Sequence, residues 1–216
     1  MDLVLSDKYE RIRKLLRRVD IGGLDVKTAV IAGKPYVEIS NQVKKHGHDL
    51  VLKSVANRPA SRSRSITRDD RDLLRNCPCP VWLVNALSKT NNGCIVAAID
   101  KPEEGGTDDV LNRHILEVAR SIALAEFREL HIVHAWQLFG ESHLRARGTA
   151  AAALEVDRMT VREMTSRMDW LARTANHAET DSHRAAVDYL AADLHTIKGN
   201  PIVAVPELAE KLGVRS

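Results

Sequence analysis

Between Gly47 and Gly93 the chain contains no glycine. A loop that grips phosphate through closely approaching backbone N–H groups needs glycine to leave room, so this stretch is not expected to supply one. Aromatic residues are also scarce, at 4% of 216 residues. That weighs against a protein that stacks bases of single-stranded nucleic acid on its rings. Three cysteines make no disulfide framework. No apolar run approaches the roughly 20 residues that span a bilayer. Residues 1–5 are too short for the apolar region of a signal peptide, because Asp7-Lys8-Tyr9-Glu10 follows. The expectation is a cytoplasmic protein.

What is present is the composition of a globular protein, 44% hydrophobic and 28% charged. The net charge of +3 conceals two unlike halves. Residues 1–92 hold 18 Lys/Arg against 10 Asp/Glu, and residues 93–216 hold 14 against 19. A basic half admits a nucleic-acid partner as an alternative. The favoured reading is two modules of opposite charge.

An internal repeat supports two modules. Gly33, Pro35, Val37, Ile39, Lys45 and Gly47 recur at one constant interval as Gly199, Pro201, Val203, Val205, Lys211 and Gly213. After the first copy comes a buried strand, Asp49-Leu50-Val51-Leu52-Lys53-Ser54, whereas the second copy runs to Ser216. The expectation is a window on a two-module protein: residues 1–86 the back of one module, 87–92 a linker, 93–216 the front of another.

The hydrophobic periodicity alternates between helix and strand. Helices are expected over 7–19, from Pro35 to His46-Gly47, over 69–76, from Asp108 or Asp109 past Leu124, over about 150–174, and over 201–212. Strands are expected over 25–32, 50–52, 81–84, 94–99, 130–135 and 194–197. On the long helix, Leu154, Met164, Met168 and Leu171 read as the inward face. This alternation implies an α/β fold with a parallel sheet and helices on both faces.

Cys94-Ile95-Val96-Ala97-Ala98-Ile99-Asp100, a helix with Asn112, Leu116 and Ala119, and Leu130-His131-Ile132-Val133-His134-Ala135-Trp136 together resemble the opening of a universal stress protein domain. Asp72 to Val84, with Cys77-Pro78-Cys79-Pro80, is similar to that family's closing helix and last strand, and most like tandem members of the E type. The resemblance implies five parallel strands per domain in the order 3-2-1-4-5. It assigns this chain strands 3, 4 and 5 of a first domain and 1, 2 and 3 of a second. A composite sheet joining the free edge of residues 94–99 to residues 50–52 is then expected, within one chain or between two swapped chains. The eight residues 85–92 reach roughly 26–29 Å, barely enough to return along a strand of about 17–20 Å. A homodimer or domain-swapped pair is therefore an expected partner arrangement.

Family members that bind ATP use a glycine loop after strand 4, and here that loop reads Asn57-Arg58-Pro59-Ala60-Ser61-Arg62-Ser63-Arg64-Ser65-Ile66-Thr67-Arg68. The resemblance nevertheless places Asp100 and Ala135 where the family contacts nucleotide. Ligands in open α/β sheets bind at the strands' carboxyl ends, while Asp100 as a simple turn cap is the competing reading. Arg62, Arg64 and Arg68 have the chemistry to hold an anion, or they decorate a solvated loop. Cys77 and Cys79 read as a rigid approach to a strand rather than a metal or redox pair. The nine histidines show no His-x-x-x-His spacing, and His131 and His134 fall on opposite faces of one strand. Met159, Met164 and Met168 read as packing residues, and Trp82, Trp136 and Trp170 as core or interface residues. No nucleophile elbow appears. The expected function is a non-catalytic stress-response protein that does not bind ATP through a glycine loop, with no metal and ATP only as an outside possibility. A nucleotide- or anion-binding module is the alternative.

Overall fold

The structure is a computed structural model that describes residues 2–55, 66–84, 93–102, 109–177 and 190–214. It divides into two compact units, residues 1–87 and 88–216.

In the first unit, α1 (Asp2–Leu16) is followed by α2 (Pro35–His46), β1 (Val51–Ser54), α3 (Arg68–Asn76) and β2 (Val81–Val84). Pro35 opens α2, where its fixed φ suits the first turn. Gly47 closes the helix in the left-handed region at φ 67°, with its N–H on the Val43 carbonyl. β1 and β2 pair in parallel, Val51 beside Val81 and Ser54 beside Val84. Thr67 caps α3 through a complete capping box with Asp70. The fully buried Asp70 carboxylate accepts from Thr67 N–H at 2.8 Å, from Thr67 Oγ1–H at 2.6 Å and from Lys53 Nζ on β1. Burial alone would raise the Asp70 pKa, but the hydrogen bonds from Lys53 and Thr67 outweigh it and hold the carboxyl below its usual range. The ion pair thereby ties the start of α3 to the neighbouring strand. Among the described residues of this unit, Leu73 and Val43 are the buried apolar ones.

Residues 25–32, expected as a strand, have no regular structure. A strand exists through its ladder, and among the described residues nothing pairs with this segment. Of the two alternatives for Trp82, core or interface, the core one does not hold within this unit. Trp82 and Leu52 point to the same open face of the β1–β2 pair, 50% and 63% exposed.

The second unit runs β3 (Ile95–Ala98), α4 (Asp109–Glu126), β4 (Leu130–Trp136), α5 (Glu141–Ala146), α6 (Ala150–Ala175), β5 (Asp193–Lys198) and α7 (Pro201–Lys211). Its parallel sheet has the order β3-β4-β5, with Val96 beside His131 and Val133 beside His195. All seven residues of the central strand β4 are buried, His131 and His134 included, as expected of a parallel strand covered on both faces. The core joins Ala97, Ile99, Leu130 and Ile132 of the sheet to Leu116, Ala119 and Ala123 of α4 and Leu171 and Ala175 of α6. The buried guanidinium of Arg120 on α4 donates to the Ala175 carbonyl at the end of α6. A cation there also complements the helix dipole.

The inward face of α6 differs from expectation. Ala152, Val156, Leu171, Thr174 and Ala175 are buried, while Leu154, Met164 and Met168 are exposed. Of the methionines read as packing residues, Met159 packs, against Trp136, Leu138 and Val156. The described ladders form two sheets, one in each unit. Among the described residues no helix is long and apolar enough to cross a membrane.

Candidate functional site

Three strands of the second unit end side by side, and their carboxyl ends carry Asp100, Trp136 and Lys198. The turn after β3 is held by Asn112 of α4. Its Nδ2 donates to the Asp100 carbonyl at 2.6 Å, and Asp100 N–H donates to its Oδ1 at 3.3 Å. Asn112 is itself buried. The Asp100 carboxylate accepts from Lys101 N–H at 2.9 Å, so it caps its own turn. Its side chain is nevertheless 89% exposed and free to meet a ligand.

Beside it lies His134, fully buried on β4. Its Nδ1 is 3.3 Å from the Ile99 carbonyl and 3.4 Å from Asp100 Oδ1, both acceptors. Its Nε2 is 3.0 Å from Arg167 Nη1, which has only hydrogens to give. The surroundings therefore assign the proton to Nδ1. Burial is the main reason the imidazole pKa lies below its ordinary value, with the Arg167 and Lys101 charges acting in the same direction. Neutral His134 thus links Asp100 to Arg167, which also bonds Glu163 at 3.1 Å and lies over the Trp136 ring at 5.1 Å. Trp170 meets the same imidazole edge-on, with ring centroids 5.1 Å apart.

Next to this network, a cleft of 710 Å³ opens past the ends of β4 and β5, lined by residues 137–142, Arg145, Lys198 and Gly199. Glu141 accepts from Lys198 Nζ at 2.7 Å and from Arg145 Nε at 2.8 Å. Those two bonds, Lys198 first, hold its carboxyl below the usual range. Lys198 also donates to Thr160 Oγ1 at 3.1 Å. Two cations facing one carboxylate leave the cleft with a positive balance.

Ala135 lies at the end of β4 and is buried. Arg62 and Arg64 lie outside the described residues. Arg68 lies in the first unit, in the opening turn of α3, with its side chain 90% exposed and 3.9 Å from Asp72. The structure thus places Asp100 and Ala135 on neighbouring strands of one unit and Arg68 in the other unit. Sequence reasoning missed Arg167, Lys198 and Glu141. Nothing in their spacing marks them, because they meet only where α5, α6 and β5 converge. Among the described residues no group of three or more His, Cys, Asp or Glu side chains is arranged to hold a metal ion.

Residues 2–85 match the sequence model of the universal stress protein family. Universal stress protein E of Photorhabdus laumondii is 31% identical over 117 residues, covering 53% of this chain and 37% of that protein. Universal stress protein E of Escherichia coli K12 is 31% identical over 137 residues, covering 62% of this chain and 43% of that protein. The chain is thus similar to universal stress proteins, through residues 2–85 for the family model and over part of their length for these two relatives. Both relatives are named universal stress protein E, and the chain spans less than half the length of each. A crystal structure of a functionally unknown protein from Pseudomonas aeruginosa PAO1 superposes with a TM-score of 0.58 at 22% identity, covering 96% of this chain and 64% of that one. That likeness concerns the fold alone, an α/β arrangement of parallel strands flanked by helices.

Proposed function

We propose that this universal stress protein acts in the stress response without catalysis, in the cytoplasm, and does not hold ATP through a glycine loop. The single observation that carries the reading is the state of His134. It is the histidine closest to Asp100 at the strands' carboxyl ends, and both its nitrogens are committed, to Ile99 and to Arg167. A general acid or base must reach a substrate proton, and a fully buried imidazole with both nitrogens engaged has none to offer. The glycine-free stretch from His48 to Asn92 supports the same reading. Equilibrium dialysis with ATP tests it: no retention at micromolar ATP is expected, and micromolar binding overturns it.

The exposed Asp100 carboxylate and the basic cleft favour a second reading, a nucleotide or anion site in the second unit. If ATP were retained and Asp100→Ala abolished the binding, this second reading would replace the first. We also propose self-association. The apolar face formed by Leu52, Trp82 and Val84 is exposed, and an exposed apolar face of this kind marks a surface that pairs.

A further inference from the structure

The motif Cys77-Pro78-Cys79-Pro80 reads in the sequence as a stiff lead into β2, and the structure gives it a second property. Cys77 is the C-cap of α3, with its N–H on the Leu73 carbonyl at 2.9 Å, and Cys79 lies two residues later. Their Sγ atoms are 3.8 Å apart, and both side chains are half-buried. Each cysteine precedes a proline, which disfavours the helical region for it. Cys77 accordingly sits at φ −72°, ψ 130°. Pro78 and Pro80 have their own φ fixed near −65°. The backbone of the motif has little freedom, so sulfur contact is built into it.

We propose that Cys77 and Cys79 form a reversible dithiol–disulfide site, oxidised by a low-molecular-weight disulfide. The Cys77 thiolate attacks one sulfur of glutathione disulfide, forming a Cys77–glutathione bond and expelling one glutathione thiolate. Cys79 then loses its proton and attacks Cys77 Sγ, closing the intramolecular bond and expelling the second glutathione. The protein gives up two electrons and two protons, and one disulfide becomes two thiols. Closure needs the sulfurs to approach by about 1.8 Å, from contact to bond length. A bridge across a single residue closes a small, strained ring, and strained disulfides are readily reduced. Such a bond suits regulation rather than permanent bracing. Burial first, then Cys77 and the Asp49 charge, push the Cys79 thiol up, which favours the dithiol at rest. Cys94, half-buried and in contact with the Leu212 carbonyl, is the internal control.

The full-length chain is equilibrated in glutathione buffers of rising oxidised fraction, acid-quenched, alkylated and digested with trypsin. The expected result is loss of two hydrogens from the peptide spanning residues 76–89, half complete within the buffer range, reversed by dithiothreitol, with Cys94 remaining alkylated. Cys77→Ser and Cys79→Ser, checked for folding by far-UV circular dichroism, are each expected to abolish the internal bond and retain a glutathione adduct on the remaining thiol. Two alkylated cysteines in that peptide at every ratio would overturn the proposal. So would stable glutathione adducts on both cysteines of the wild type, or disulfides only between chains.

Discussion

His134 is the residue at which burial, hydrogen bonding and pH meet. Its pKa is lowered in the folded state by burial, and that of His195 is lowered by burial and the nearby His131. In the unfolded chain both return to about 6.5. Above that pH both states hold neutral imidazoles and stability is complete. As pH falls below it, the unfolded chain takes up protons that the native state refuses, so stability is lost progressively toward the lower folded-state values. Urea midpoints measured at pH 7.5 and 5.5 are expected to fall with pH. A His134 resonance titrating at or above 6.5 in an NMR titration would contradict this account. The histidine itself was visible in the sequence, as one of two on opposite faces of a strand. Its partner Arg167 was not, because the two are far apart in the chain and meet only when α6 packs on β4.

At the level of elements, α6 separates what periodicity reads well from what it reads badly. Its existence and length follow from a long run without Gly or Pro. Its face does not, because side-chain size is a poor guide to which side is buried. Leu154, Met164 and Met168 are exposed, whereas Leu171 and Ala175 pack in the sheet core and Val156 packs with Trp136 and Leu138. Leu171→Ala is expected to cost about 2–5 kcal/mol by leaving a cavity. Val161→Ala, at a position 59% exposed, is expected to stay within about 0.5 kcal/mol. Urea denaturation of the two variants checks both values, and equal losses would mean the face is assigned wrongly. Residues 25–32 teach a related lesson: β-branched residues describe a segment that suits a sheet, not one that has found a neighbour.

For the whole molecule, the two units differ in how much apolar surface they bury. The three-stranded sheet of the second unit has a core built with α4 and α6. The β1–β2 pair of the first unit keeps Leu52, Trp82 and Val84 exposed on one face. The self-association proposed above would use that face, and light scattering at high protein concentration is then expected to report twice the monomer mass. A clean monomer across the concentration range would count against it.

The sequence by itself determined the alternation of strands and helices, the repeated Gly-x-Pro turns and the place of Asp100 after β3. These depend on local backbone preferences and short-range order, which are written in consecutive residues. Tertiary structure alone decided that His134 is locked between Ile99 and Arg167, that Glu141 gathers Lys198 and Arg145, and which side of α6 faces the sheet. Each of these depends on groups brought together across long stretches of chain, where packing and desolvation, rather than spacing, choose the partners.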